Sequence, residues 1–187
     1  MYFCEGFYFK TMNLFRRIVF YGGAAIDLVK FILIVAVAVL LIHFFVGTIF
    51  IVSGDSMFPT FKDGQVVFSN KITYSLNQPA RGDAVIVLYP GDPTNKKYIK
   101  RIVALPGEKI AINTGRVYIG NTKLEESYLP LGVESYPNGE WTLKNNEYFL
   151  MGDNRPNSND SRYFGPVERR FLFGKASFII WPDFREP

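Results

Sequence analysis

Phe31 to Val52 is a run of 22 residues without an Asp, Glu, Lys or Arg. At 1.5 Å per residue it is long enough to cross a hydrocarbon core of about 30 Å, and the pattern predicts a transmembrane helix over 31–52. A cleaved leader would have a shorter apolar core and a small-residue cut site. This run instead continues through Phe44-Phe45 and Ile49-Phe50-Ile51 into a serine- and glycine-containing turn. Lys10, Arg16, Arg17 and Lys30 precede it, against Glu5 and Asp27. The basic flank predicts a cytoplasmic segment over 1–30 and an outer domain over 53–187. Met12 opens a second plausible start, so the initiator is either Met1 or Met12.

Beyond Val52 the period changes from continuous to alternating. Strands are predicted over Gln65 to Ser69, Ala84 to Tyr89, Tyr98 to Leu105, Lys109 to Ile112, Arg116 to Ile119, Glu147 to Met151 and Lys175 to Trp181. All are rich in Val, Ile, Tyr and Phe. Asp63-Gly64, Arg81-Gly82-Asp83, Pro90-Gly91-Asp92-Pro93 and Asn113-Thr114-Gly115 separate them as turns. Ile110 to Ile119 reads as a hairpin, and Glu125 to Asn146 as a looser excursion. No helical periodicity interrupts the series. The expected fold is an all-β extracytoplasmic domain of small curled antiparallel sheets behind a single N-terminal transmembrane helix.

Composition narrows the chemistry. With 187 residues, 48% hydrophobic and 17% aromatic, the chain suits one anchored domain with a sizeable core. The net charge is +4, but the basic residues are scattered among 17 acidic ones, which reads as solvated surface and excludes nucleic acid as a partner. Cys4 is the sole cysteine and His43 the sole histidine; the first lies before the apolar run and the second within it. The outer domain therefore has no Ser-His-Asp triad, no Cys-His dyad and no His- or Cys-ligated metal site. His43 reads as an anchor residue facing a partner or the interface.

Three segments carry candidate chemistry. In Ser53-Gly54-Asp55-Ser56-Met57-Phe58-Pro59-Thr60, Gly54 permits unusual backbone angles and Pro59 disfavours helix at Phe58, predicting a tight turn that holds Ser56 exposed. A nucleophilic Ser56 needs a base, and without histidine the choice falls to lysine, a carboxylate or tyrosine. Lys100 is best placed. Alternation puts Tyr98, Lys100, Ile102 and Ala104 on one strand face, where apolar neighbours disfavour the charged amine. The third segment, Gly152 to Gly165, is a polar loop with two Asp and two Arg within ten residues. It fails the calcium-loop pattern, since counting from Asp153 position 6 is Ser158 and position 12 is Phe164. A salt-bridged scaffold fits better, with Ser158 able to hydrogen-bond a lysine amine.

Together these segments resemble the bacterial type I signal peptidases, membrane-bound serine peptidases with a Ser-Lys dyad. The resemblance runs from Val52 to Trp181 through the Ser56 turn, Gly82-Asp83-Ala84-Val85-Ile86-Val87, Tyr98-Ile99-Lys100-Arg101 with Leu105-Pro106-Gly107, and Gly152-Asp153-Asn154 with Asn157-Ser158 and Asp160-Ser161-Arg162. It implies that Ser56 attacks the scissile carbonyl of a pre-protein, that Lys100 is the general base and that Ser158 orients the lysine. Asp153, Asp160 and Arg162 would support the site, with Arg101 as an ion-pair partner. The substrate would bind extended along Ser53, Gly54, Met57, Tyr98 and Ile99. The partners so implied are signal peptides of secreted pre-proteins and the lipid bilayer, without cofactor or metal, at a bacterial plasma membrane. Some members carry serine two residues before the nucleophile to help bind the oxyanion; here Gly54 stands there, as in Gram-positive members, leaving the second oxyanion donor open between water and the Gly54 backbone. The shortness of Glu108 to Glu147 also resembles compact members and implies a reduced second β region. Two rival readings are a self-cleaving Ser-Lys regulator, which would lack a span and carry a DNA-binding helix pair, and a membrane-anchored non-catalytic β-domain that would need neither Ser56 nor Lys100.

Overall fold

The computed structural model describes residues 23, 26–41, 46–88, 96–182 and 184–187. They divide between two compact units, Met1–Phe44 and Phe45–Pro187. In the first, residues 26–41 form helix α1, whose apolar side chains are exposed. Among the described residues no helix is long and apolar enough to cross a membrane. His43 and its neighbours over 42–45 lie outside the described residues, as does Cys4.

The expected helical boundary at Val52 is corrected by strand β1 (Gly47–Ile51). This strand pairs antiparallel with β2 (Val66–Asn70), from Gly47 opposite Asn70 to Ile51 opposite Val66. A run without charges carries no signal to tell a helix from an apolar strand, but Thr48-Ile49-Phe50-Ile51 is β-branched and aromatic and favours the strand. Gly47 also lets the chains meet closely. A Cβ there would lie 2.4 Å from the Phe68 ring.

The second unit is built on a seven-stranded antiparallel sheet, larger than the small sheets expected. Its order is β1, β2, β11 (Leu172–Trp181), β3 (Ala84–Leu88), β4 (Lys97–Ala104), β9 (Glu147–Met151) and β10 (Val167–Glu168). A four-stranded sheet has the order β7 (Thr122–Lys123), β6 (Arg116–Ile119), β5 (Lys109–Asn113) and β8 (Gly139–Thr142). The hairpin read from Ile110 to Ile119 is present, with those two residues paired. The stretch Glu125 to Asn146 holds β8, paired with β5, so it is less loose than its sequence indicates. Two short helices also appear, α2 (Ile72–Leu76) and α3 (Ser161–Phe164), both too brief for a 3.6-residue period to register.

Both faces of the large sheet are covered. On β3, Ile86 joins a cluster with Met57, Phe61, Val67 and Ile179, whereas Val85 and Val87 join Ile102, Leu150 and Leu172. This double burial explains the unbroken apolar run Ala84–Leu88. A third cluster, including Val103, Phe149, Met151, Ile110 and Val117, joins β4 and β9 to the smaller sheet. Bulges interrupt the pairing of β11 with both neighbours and of β4 with β9, and such bulges bend and twist a strand.

Candidate active site

The Ser56 turn is pinned by the apolar residues on its C-terminal side. Met57 and Phe61 are fully buried in the cluster under the sheet, each burial worth about 1.5–3 kcal/mol, so the backbone has little freedom where the hydroxyl emerges. The Phe58 amide donates to the Asp55 carbonyl at 3.1 Å, and the Phe61 amide to the Met57 carbonyl at 2.9 Å. Gly54 has φ +85° and donates its N–H to Asp63 Oδ1 at 2.7 Å. That amide is therefore engaged by the Asp63 carboxylate in this structure. Ser56 is half-buried rather than exposed.

Lys100 reaches the turn from β4, where it is registered against Val85. Its Nζ donates to Ser56 Oγ at 2.8 Å and to Ser158 Oγ at 3.0 Å. Only 3% of the residue is exposed. Burial pushes the amine down from 10.5 to about 8; Asp160 opposes this shift, Arg162 adds to it, and Asp153 opposes it. An amine of this kind is partly unprotonated near neutral pH and can accept a hydroxyl proton.

Two buried ion pairs frame the amine. Arg101 clasps Asp153 through Nε–Oδ1 at 2.8 Å and Nη2–Oδ2 at 2.6 Å, and its Nη1 donates to the Gly82 carbonyl at 2.7 Å. Arg162 donates to both oxygens of Asp160 at 2.8 Å, to the Tyr136 carbonyl at 2.6 Å and to the Arg155 carbonyl at 2.7 Å. Asp160 in turn accepts the Gly152 amide at 2.9 Å and caps α3 by accepting from Arg162 N–H. The polar loop is thus a cross-braced support carrying Ser158. With each charge answered by a partner, burial of four ionised side chains is tolerable.

Ser53, Gly54, Met57, Tyr98 and Ile99 all line one small cleft with Ser56, of about 50 Å³. The structure therefore gathers every site residue expected from the sequence into one place: the hydroxyl–amine pair, its braced support and an adjoining cleft.

Several contributors carry little sequence signal. Thr60 donates to Asp153 Oδ2 at 2.6 Å, tying the serine turn to the Arg101 pair. Asn154 holds the turn from the other side, its backbone amide on the Ser56 carbonyl at 3.1 Å and its side chain on the Asp55 carbonyl at 3.0 Å. Gly152 is required by space, because a Cβ would lie 2.3 Å from both Ser158 Oγ and the Ser56 carbonyl oxygen. Arg155 is fully buried and joins Gly152, Ser135 and Glu126, while the Tyr128 ring lies 4.2 Å from the Arg101 guanidinium. Asp63 is visible in the sequence only as half of an Asp-Gly turn signal.

Comparison with known proteins matches residues 25–181 to the family model described as signal peptidase, peptidase S26. The chain belongs to that family. It is 36% identical over 161 residues to a signal peptidase I of Bacillus amyloliquefaciens, covering 80% of this chain and 82% of that protein. It is 34% identical over 164 residues to signal peptidase I S of Bacillus subtilis (strain 168), covering 82% and 87%. A probable signal peptidase I-2 of Synechocystis sp. is 35% identical over 146 residues, covering 75% of this chain and 66% of the relative. A solved signal peptidase I from Enterococcus faecalis V583 is 28% identical with a TM-score of 0.47, covering 53% of this chain and 97% of that one. The chain is an enzyme of the signal peptidase I type.

Proposed function

We propose that this signal peptidase cuts exported pre-proteins with Ser56 as nucleophile and Lys100 as general base, working at the outer face of a bacterial plasma membrane. The observation that carries the mechanism is the buried Lys100 amine, 2.8 Å from Ser56 Oγ. Ser56 Oγ attacks the scissile carbonyl carbon as its proton passes to the Lys100 Nζ lone pair. The ammonium so formed gives that proton to the departing amine as the C–N bond breaks, leaving the signal peptide as an ester on Ser56. Water then attacks the ester with Lys100 again taking a proton, and returning it to Ser56 Oγ releases the carboxylate.

Ser158 orients the amine through its 3.0 Å contact, and the Arg101–Asp153 and Arg162–Asp160 pairs hold the loop that carries Ser158. Substrate lies extended in the cleft, pairing its backbone near Ser53-Gly54 and Tyr98-Ile99. A volume near 50 Å³ favours small side chains at the first and third positions before the cut. The apolar segment from Phe31 onward serves as the membrane anchor, with the basic flank inside. The deciding experiment is cleavage of a purified pre-protein by the wild-type enzyme beside Ser56→Ala, with the new N-terminus sequenced. Release of the mature protein only by wild type is expected; equal release by Ser56→Ala removes the serine mechanism.

A further inference from the structure

The mouth of the substrate cleft carries a group of side chains that the mechanism does not use. Lys97 and Phe50 line the cleft together with Ser56. Lys97 Nζ lies 4.3 Å from the centroid of the Phe173 ring and 5.0 Å from that of Phe50, and these rings meet edge-on at 5.8 Å. Lys71 approaches the same Phe173 ring, with its Nζ 4.6 Å from the centroid. Two ammonium groups thus converge on one aromatic pair. Burial lowers the Lys71 pKa and the Lys97 charge lowers it further, as expected where one cation feels the other. None of the ion pairs among the described residues involves Lys97.

We infer that Lys97, backed by Lys71 on the Phe50–Phe173 platform, is a specificity residue that selects an acidic side chain in the bound pre-protein upstream of the cut. This rests on the proposed use of the cleft by substrate. A ring face holds a cation without neutralising it, so the platform fixes the ammonium while leaving its charge for an anion. The position is set by strand geometry. Lys97 precedes Lys100 by three residues on β4, roughly 10 Å at about 3.3 Å per residue. The cleft is lined by Lys97, Tyr98 and Ile99 on that strand, so a peptide lying in it runs from Ser56 towards Lys97. With small residues at the first and third positions, the carboxylate belongs at the fourth or fifth position before the cut. A bilayer of acidic lipid is the competing anion, but Lys97 lies along the cleft itself, where the peptide passes.

The test uses the full-length enzyme in neutral detergent and three pre-protein peptides with Glu, Gln or Lys at the fourth position, then at the fifth. At low salt, wild type should prefer Glu over Lys by about three- to tenfold in kcat/KM, a preference that shrinks as salt rises. Lys97→Gln should bring the Glu/Lys ratio to within about twofold of unity, and Lys97→Glu should reverse it. Lys71→Gln should reduce it partially. Because a ratio is read, a general loss of activity cancels. Cleavage of the Gln peptide by wild type, absent in Ser56→Ala, reports on the catalytic reading separately; its absence overturns that reading rather than this one. Equal rates for Glu and Lys peptides with active wild type overturn the inference. So does a charge preference that survives Lys97→Gln. Loss of binding to phosphatidylglycerol vesicles in Lys97→Gln, with no substrate charge preference in wild type, assigns the patch to lipid and overturns it equally.

Discussion

Lys100 is the residue on which chemistry and stability pull in opposite directions. Its native pKa is about 8 against an ordinary 10.5, which corresponds to a penalty of roughly 3 kcal/mol on the charged form. Between those values the unfolded chain holds more protons than the native one. The stability contributed by this group therefore rises with pH from about 8 to about 10.5, and the full penalty applies below pH 8. Lys100→Met should abolish cleavage while leaving the fold at least as stable at pH 7, an advantage that fades from about pH 8 upward and is gone above about pH 10.5. Denaturant midpoints across pH test the second half of this statement. Lys100→Arg should also be inactive, since a guanidinium stays charged. Wild-type initial rates should rise with pH through an inflection near 8; substantial cleavage by Lys100→Arg, or no inflection below about pH 10, removes Lys100 as the base. Ser158→Ala should retain the fold and lose about 10- to 100-fold in kcat, because the amine loses its 3.0 Å partner and its aim.

At the scale of elements, the site depends on how closely the polar loop approaches the serine turn. Gly152→Ala would push a methyl against the Ser56 carbonyl and Ser158 Oγ, both 2.3 Å from where it must sit. One of these elements must shift, with an expected cost of about 1–3 kcal/mol and a fall in kcat larger than any change in KM. Unchanged kinetics in a stable variant would mean the loop and turn move independently. Arg155→Leu should be worse for folding, by about 3–5 kcal/mol, because it leaves the largely buried Glu126 carboxylate without its cation and with the Tyr128 hydroxyl as donor; adding Glu126→Gln should recover part of that loss. Thermal or denaturant unfolding of the single and double variants measures the recovery. These elements also mark where sequence legibility ends. The β3 run and the β5–β6 hairpin are readable because apolar runs and turn residues report burial directly. Ser56, Lys100 and Ser158 are readable because the lone histidine lies in the apolar run and because their segments fall in the order of a known family. Strand β1 is not, since the uncharged run continues straight into it and the β-branched and aromatic residues at 48–51 are its one local mark. Nor is the role of Arg155, because a sequence cannot tell a buried arginine with partners from one in water.

At the scale of the whole molecule, the remaining question is orientation. The chain before the apolar stretch is net basic, and Lys and Arg within a short flank are retained on the cytoplasmic side far more strongly than acidic residues are. If the apolar stretch is the single anchor proposed above, an N-terminal flank held inside puts the β unit on the other face. That is also where the cut must be made if the signal peptide is still in the bilayer and its cleavage region has crossed. Protease added to intact spheroplasts should therefore digest the β unit, while an epitope fused at Met1 stays protected until lysis. The sheet core and paired charges should slow digestion, so the assay needs a protease site inserted in an exposed position, such as beside Leu131. Cutting there only after lysis would put the active site on the cytoplasmic face. The serine–lysine chemistry could survive that result, but processing of exported chains on the outer surface could not.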